Sequence, residues 1–118
     1  LVVADLPFLS YQVSPTQALE NAGRLLKEGG AHAVKLEGGV RVAEAARAIV
    51  NADIPLMGHI GLGPQSVRRL GGFKVQRDEH KIMDDARAIE AGGAFAVVVE
   101  CVPTDLGLKI TEALKIPT

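Results

Sequence analysis

Four short apolar runs alternate with helical segments along this chain, and each run stops at a polar side chain. The runs end at Asp5, at Lys35 and Glu37, at His59, and at Glu100. Strands that alternate with helices predict βαβ units and a parallel sheet, because a parallel crossover needs about a dozen residues or more and usually contains a helix. Ligands of such sheets bind beyond the carboxyl ends of the strands. The recurring polar residues therefore predict an active-site rim.

The helical segments carry their own start signals. Ser14 followed by Pro15 and Gln17 predicts an N-cap, a first-turn proline and a helix that runs to about Glu28. Asp78 predicts the N-cap of a later helix. In chain order, the pattern predicts strands over 1–4, 32–37, 55–60 and 94–101, helices over 15–28, 40–51, 79–90 and 103–114, a short helix from Pro64, and an exposed loop over 71–76.

Four βα units in succession favour half of a (β/α)8 TIM barrel over a doubly wound sheet. Doubly wound nucleotide-binding sheets usually carry a glycine-rich loop after the first strand, and no glycine pair here matches the phosphate-binding pattern GxxxxGKS or GxxxxGKT. A strand pattern begins at Leu1 and another begins near Ile116. We therefore expect the 118 residues to be one partial barrel domain, inactive when isolated.

Composition narrows the class of partner. The chain has a net charge of −1 and is only 3% aromatic, so it offers neither a basic patch nor many stacking rings for nucleic acid. No apolar stretch approaches the roughly 20 residues of a membrane span, which predicts a cytoplasmic protein without membrane contact. Cys101 is the only cysteine and is expected to be a small buried hydrophobe. His32 and His80, away from the strand ends, are expected at the surface or in packing.

Three carboxylates stand at the ends of three predicted strands: Asp5, Glu37 and Glu100. A barrel would bring them to one mouth, where they suit Mg²⁺, an ion that usually takes one or two protein carboxylates together with waters and substrate oxygens. A carboxylate that does not bind the metal can act as a general base. The same residues could instead cap helices or pair with arginine and lysine, and spacing alone leaves both interpretations open.

Lys35 and Glu37 are two residues apart on one predicted strand, so both point to one face while Val34 and Leu36 point to the other. On an inward face, this cation and carboxylate could bind an anionic substrate and a metal together. On a solvated edge they would form only a charge pair. His59 could donate to a substrate oxygen, act as an acid, or be a hydrogen-bonded core histidine.

Five sequence blocks occur in the order typical of one enzyme family. They are ADLPF at 4–8, VKLEGG at 34–39, GHIGLGPQSV at 58–67, GGFKVQ at 71–76 and ECVP at 100–103. In these blocks the chain resembles the ketopantoate hydroxymethyltransferases of pantothenate synthesis. The resemblance covers essentially all 118 residues, and five ordered blocks are far more specific than a single motif.

The resemblance implies a (β/α)8 barrel that transfers a hydroxymethyl group from 5,10-methylenetetrahydrofolate to the small 2-oxo acid 3-methyl-2-oxobutanoate, giving 2-dehydropantoate. It implies that the keto acid chelates Mg²⁺, which stabilises an enolate. By motif, Asp5 and Glu37 would bind the metal, Asp5, Lys35 and His59 would contact the substrate, and Glu100 would be the catalytic proton acceptor. It also implies a homo-oligomer, in the form of a decamer.

Two departures and two alternatives accompany this interpretation. The first metal-binding aspartate of the family would precede Leu1, and the linker after Gln76 is shorter than the family's usual one.

A related Mg²⁺-dependent barrel lyase or mutase acting on small 2-oxo acids is the first alternative, although its KKCGH motif is absent. A non-catalytic assembly module is the second, and the intact polar residues at the strand ends argue against it.

Overall fold

The computed structural model describes all residues from 1 to 118 as a four-stranded sheet with helices between its strands. The strands are β1 (Val3–Asp5), β2 (Ala33–Glu37), β3 (Leu56–Gly61) and β4 (Ala96–Glu100). The helices are α1 (Pro15–Lys27), α2 (Ala43–Val50), α3 (Val67–Leu70), α4 (Glu79–Ala91) and α5 (Thr104–Ala113). Short 3₁₀ turns at Val40–Val42 and Pro64–Ser66 precede α2 and α3.

The strands lie in the order β1-β2-β3-β4, and every neighbouring pair is parallel. Strands of a (β/α)8 barrel follow one another in this way, whereas a doubly wound sheet reverses its strand order at a switch point. The fold prediction of an α/β architecture with about four βα units is therefore confirmed.

The predicted helix starts are confirmed at atomic detail. Ser14 Oγ accepts a hydrogen bond from the Gln17 backbone N–H at 3.1 Å, and Asp78 Oδ1 accepts one from the Lys81 N–H at 3.1 Å. The Ser14 hydroxyl and the Asp78 carboxylate thus each bond an N–H group that has no partner within its own helix. The helix predicted over 40–51 differs from expectation, because its first turn is the tighter 3₁₀ turn and α2 begins only at Ala43.

The apolar core lies between the sheet and the helices. Val34 and Leu36 of β2 are fully buried against residues such as Ile49 of α2 and Ile89 of α4. Lys35, on the opposite side of the same strand, is excluded from this core and is partly open to solvent. The alternation predicted for β2 is thus confirmed, and it separates the helix-packing face from the face that carries polar groups.

One burial prediction is wrong. Cys101 is exposed, because β4 ends at Glu100 and the backbone turns at Cys101 through a left-handed φ of 51°. His32 and His80 lie at the surface as expected, and the loop over 71–76 is largely exposed. None of the helices combines the length and the apolar character needed to cross a membrane.

Candidate active site

Four polar residues form a continuous line of contacts across the four strands. Asp5 Oδ1 lies 3.0 Å from Lys35 Nζ, Lys35 Nζ lies 3.1 Å from His59 Nδ1, and His59 Nε2 lies 3.0 Å from Glu100 Oε2. Asp5 and Glu100 are the last residues of β1 and β4, Lys35 is the middle residue of β2, and His59 lies in the second half of β3. We call Asp5, Lys35, His59 and Glu100 the polar row.

The contacts of His59 favour one tautomer of its neutral ring. A lysine ammonium group donates hydrogen bonds and cannot accept them, so Nδ1 of His59 must present its lone pair to Lys35. The neutral ring then carries its proton on Nε2, which faces the carboxylate of Glu100. The distance is that of a hydrogen bond, but the N–H is not aligned with the oxygen well enough to form one. Catalytic hydrogen bonds are often misaligned in this way before substrate binds.

The two middle residues of the polar row are largely buried, and its two end residues are more exposed to solvent. The side chain of His59 is 3% exposed and that of Lys35 is 17% exposed, whereas Glu100 is 36% exposed and Asp5 is 62% exposed. A small molecule could therefore reach both carboxylates and one edge of the ammonium group. His59 is placed behind its neighbours and leaves little surface for a substrate.

Glu37 lies beside the polar row and contacts a different partner. Its Oε2 accepts a hydrogen bond from the backbone N–H of Gln65 at 3.0 Å, at the start of the second 3₁₀ turn. Gly63 permits this approach, since a β-carbon at that position would lie 2.5 Å from Oε2. The absence of a side chain at Gly63 therefore makes room for the Glu37 carboxylate.

Tyr11 is a site residue that the sequence analysis did not identify. Its buried hydroxyl accepts a hydrogen bond from the Glu37 backbone N–H at 3.1 Å and donates to Gln65 Oε1 at 2.9 Å. Burial raises the pKa of Tyr11 to about 12, and the nearby carboxylates of Glu37 and Asp5 act in the same direction. The one available signal was its rarity, because Tyr11 is the only tyrosine in the chain.

Asp5 and Glu37 fit the ligand chemistry of Mg²⁺ only as part of an open site. No group of three or more histidine, cysteine, aspartate or glutamate side chains converges within reach of a metal ion. Each of these two carboxylates has one oxygen bound, to Lys35 and to the Gln65 N–H, and one oxygen without a protein partner. Asp5 ends β1 and Glu37 ends β2, and these neighbouring strands are parallel, so both carboxylates lie at the same edge of the sheet. Mg²⁺ commonly accepts such a sparse protein contribution, because waters and substrate oxygens complete its shell.

A cavity of about 700 Å³ opens next to Glu37, among the loops that follow β1, β2 and β3. We call it the flanking cavity. Its lining combines apolar and aromatic groups with cations, including Phe8, Val13, Val42, Arg41, Arg68 and Arg69. It shares Glu37, Tyr11 and Gln65 with the site described above, but none of the polar row lines it. Its volume is typical of sites that bind cofactor-sized ligands.

Comparison with known proteins shows which family the chain is similar to. Residues 1–118 match the family model described as ketopantoate hydroxymethyltransferase. Three similar curated proteins, each named 3-methyl-2-oxobutanoate hydroxymethyltransferase, come from Carboxydothermus hydrogenoformans, Geobacter metallireducens and Moorella thermoacetica. Their identities to the chain are 61%, 61% and 63%; the matches cover 100% of the chain and 44%, 46% and 45% of those proteins. The chain therefore spans less than half the length of these curated relatives.

Proposed function

Because the chain belongs to the ketopantoate hydroxymethyltransferase family, we propose that the full-length protein that carries it, here the parent protein, converts 3-methyl-2-oxobutanoate into 2-dehydropantoate. The proposed one-carbon donor is 5,10-methylenetetrahydrofolate. In this reaction C3 of the keto acid loses a proton and bonds to the donated methylene carbon, and water supplies the hydroxyl oxygen. The two bonds from that carbon to the folate nitrogens break, and tetrahydrofolate leaves with the C3 proton and one proton of the water on those nitrogens. The observation that carries the proposal is the polar row, in which the cation of Lys35 and the carboxylate of Glu100 are linked through His59 on the strand between them.

Glu100 is the proposed base for the proton at C3. Its side chain is 36% exposed at the end of β4, and His59 is the one side chain that pairs with its carboxylate. A positioned carboxylate that takes a proton in the transition state contributes a rate increase on the order of 10² to 10⁴. This role requires Glu100 to be ionised when the keto acid binds.

Lys35 is the proposed anchor for the negative charge of the substrate. Its ammonium group has three N–H donors, of which Asp5 and His59 occupy two. The third is free for the carboxylate or the keto oxygen of the substrate. Negative charge grows on the keto oxygen as the proton leaves C3, so a fixed donor there stabilises the transition state more than the ground state.

Asp5 and Glu37 are the residues of this chain that would hold Mg²⁺, through the oxygens that no protein group occupies. When bound, the ion would supply Lewis-acid polarisation of the substrate carbonyl. Tyr11 supports this arrangement from behind, because its hydroxyl fixes the end of β2 against the Gln65 loop.

The flanking cavity is the proposed place for the donor. A keto acid with five carbons would fill only a small part of the 700 Å³ cavity. A reduced folate is much larger, and its fused ring system and carboxylates need both an aromatic surface and cations. Phe8 offers an aromatic surface, and Arg68 and Arg69 offer cations for those carboxylates. The cavity adjoins Glu37, so a donor in it could present its methylene carbon toward the keto acid.

The function is tested with the purified parent protein, the keto acid and the donor. We expect 2-dehydropantoate by mass spectrometry when Mg²⁺, keto acid and donor are all present. Without donor, we expect the C3 proton of the keto acid to exchange with deuterium from D₂O, as seen by proton NMR. A folded protein that shows neither reaction, or that cleaves other 2-oxo acids, would refute the proposal.

A further inference from the structure

His59 contacts two members of the polar row, through different ring nitrogens, and is the most deeply buried of the four. We propose that His59 is a positioning residue for Glu100, which it holds through an Nε2–H group in a tautomer set by Lys35. This inference rests on the proposed role of Glu100 as the base. It assigns His59 no direct contact with the keto acid.

Burial argues against a direct role in binding substrate. Only 3% of the His59 side chain is exposed, whereas Lys35 and Glu100 on either side of it are more open. The backbone at this position is also fixed, because the His59 carbonyl accepts a hydrogen bond from the Gly38 N–H at 2.8 Å. With its backbone bonded and both ring nitrogens in contact, the imidazole has little freedom to turn toward a ligand.

The tautomer follows from the order of charges along the polar row. Asp5 holds the Lys35 ammonium group, and that group leaves Nδ1 of His59 only the role of acceptor. In a neutral imidazole the other nitrogen is then the donor, and it faces Glu100. In functional sites, the hydrogen-bond partner of one ring nitrogen commonly determines that the other nitrogen is the donor, and this orients the histidine.

Glu100 needs such a partner because little else restrains it. It is the last residue of β4, and no other side chain among these residues donates to its carboxylate. A long exposed side chain loses rotamer freedom when it is held in one reactive geometry. Nε2 of His59 already stands 3.0 Å from Oε2, so a realignment on substrate binding completes the hydrogen bond and leaves Oε1 free to take the proton from C3.

Two substitutions in the parent protein separate this role from the alternatives. The amide nitrogen of His59→Gln can reach the place of Nε2 and donate to Glu100. The amide oxygen of His59→Asn can reach the place of Nδ1 and accept from Lys35, but its side chain is too short to contact Glu100. The readout is C3 proton exchange in D₂O without donor, measured as kcat and KM for the keto acid.

We expect His59→Asn to lower kcat for exchange by about 10- to 100-fold with KM changed less than about threefold, and His59→Gln to retain most of kcat. Thermal melting of both variants checks that they fold. Equal loss in both variants, or loss only in His59→Gln, would overturn the proposal, as would full activity in both. If the unsubstituted parent protein shows no C3 proton exchange, the proposed function itself is refuted.

A second measurement needs no substitution and so holds even if the variants fail to fold. Nitrogen-15 NMR of histidine-labelled parent protein distinguishes a protonated ring nitrogen from one with a free lone pair. We expect His59 to show a protonated Nε2 and a free Nδ1 at neutral pH. The opposite tautomer, or a ring protonated on both nitrogens, would overturn the proposal.

Discussion

The carboxylate of Glu37 packs against the bare α-carbon of Gly63, where a β-carbon would stand only 2.5 Å from Oε2. The same oxygen accepts the Gln65 N–H at 3.0 Å, so a single glycine governs how Glu37 meets the loop after β3. This contact joins two of the sequence blocks and places one proposed metal ligand. It also yields a substitution whose effect is local.

Gly63→Ala should displace the Glu37 carboxylate and weaken Mg²⁺ binding by the parent protein, because Glu37 must move to admit the methyl group. The measurement is a calorimetric titration with Mg²⁺, in which we expect an affinity at least several times lower. Gly23→Ala is the control, since a β-carbon at that position in α1 meets nothing within 4 Å and alanine favours a helix by up to about 1 kcal/mol. Equal Mg²⁺ affinity in both variants would remove Glu37 from the metal site.

Tyr11→Phe should lower stability by about 1–2 kcal/mol, because it leaves the Glu37 N–H without its buried acceptor and removes one of the two donors to Gln65 Oε1. It should also change the response to alkali. The pKa of Tyr11 is raised from 10.0 to about 12, so the folded state holds this proton more tightly than the unfolded state does. The resulting stability is present below pH 10 and is lost as pH rises toward 12.

Urea unfolding of the unsubstituted protein and of Tyr11→Phe at pH 8, 10 and 11 isolates the contribution of the Tyr11 phenol. Lysine and the other groups titrate in both proteins, so their effects cancel in the stability difference. We expect the stability difference between the two proteins to shrink from pH 10 to pH 11. A difference that stays constant over that range would show that the Tyr11 phenol does not lose its proton at higher pH in the folded state than in the unfolded state.

Local signals in the sequence predicted much of this fold, and distant contacts account for what they missed. Ser14 and Asp78 bond N–H groups three residues away, so their roles could be predicted from neighbouring residues. Tyr11 bonds Glu37 across 26 residues, and nothing near it in the sequence signals this. The burial of Cys101 was wrongly predicted, because a strand pattern does not show the residue at which the backbone turns.

The site shows the same division. That polar residues would collect at the ends of parallel strands could be predicted, because strand direction and side-chain alternation require it. Which groups would contact one another could not, since this depends on register. Parallel pairing sets Asp5 against Lys35 and Glu37 against His59, and this register leaves Lys35 between Asp5 and His59.

Asp85→Ala should destabilise the fold by about 1–3 kcal/mol, because Asp85 is buried and its Oδ1 accepts the Val40 N–H at 2.9 Å. Lys81 holds the other oxygen at 2.6 Å, so α4 is joined by this residue to the start of the 3₁₀ turn before α2. Asp84→Ala is the matched control on the exposed side of the helix and should change stability by less than about 0.5 kcal/mol. Equal urea midpoints for the two variants would contradict the buried acceptor role.

Replacing Arg68 and Arg69 together by glutamine should raise KM for the folate donor by about tenfold, because the flanking cavity would lose two of its cations. C3 proton exchange without donor should stay unchanged, since neither arginine belongs to the polar row. Arg47→Gln removes an exposed cation outside the cavity and serves as the control. A double variant with normal KM for the donor would place the folate elsewhere.

Glu100→Gln in the parent protein should lower kcat for C3 proton exchange by about 10² or more, because an amide cannot take the proton. KM for the keto acid should change little, since Lys35 remains in place to bind its carboxylate and Asp5 remains available to hold Mg²⁺. Glu112→Gln, at an exposed position of α5, is the charge-matched control and should exchange at the normal rate. Normal exchange by Glu100→Gln would assign the base to another residue, whereas a raised KM at constant kcat would make Glu100 a substrate-binding group.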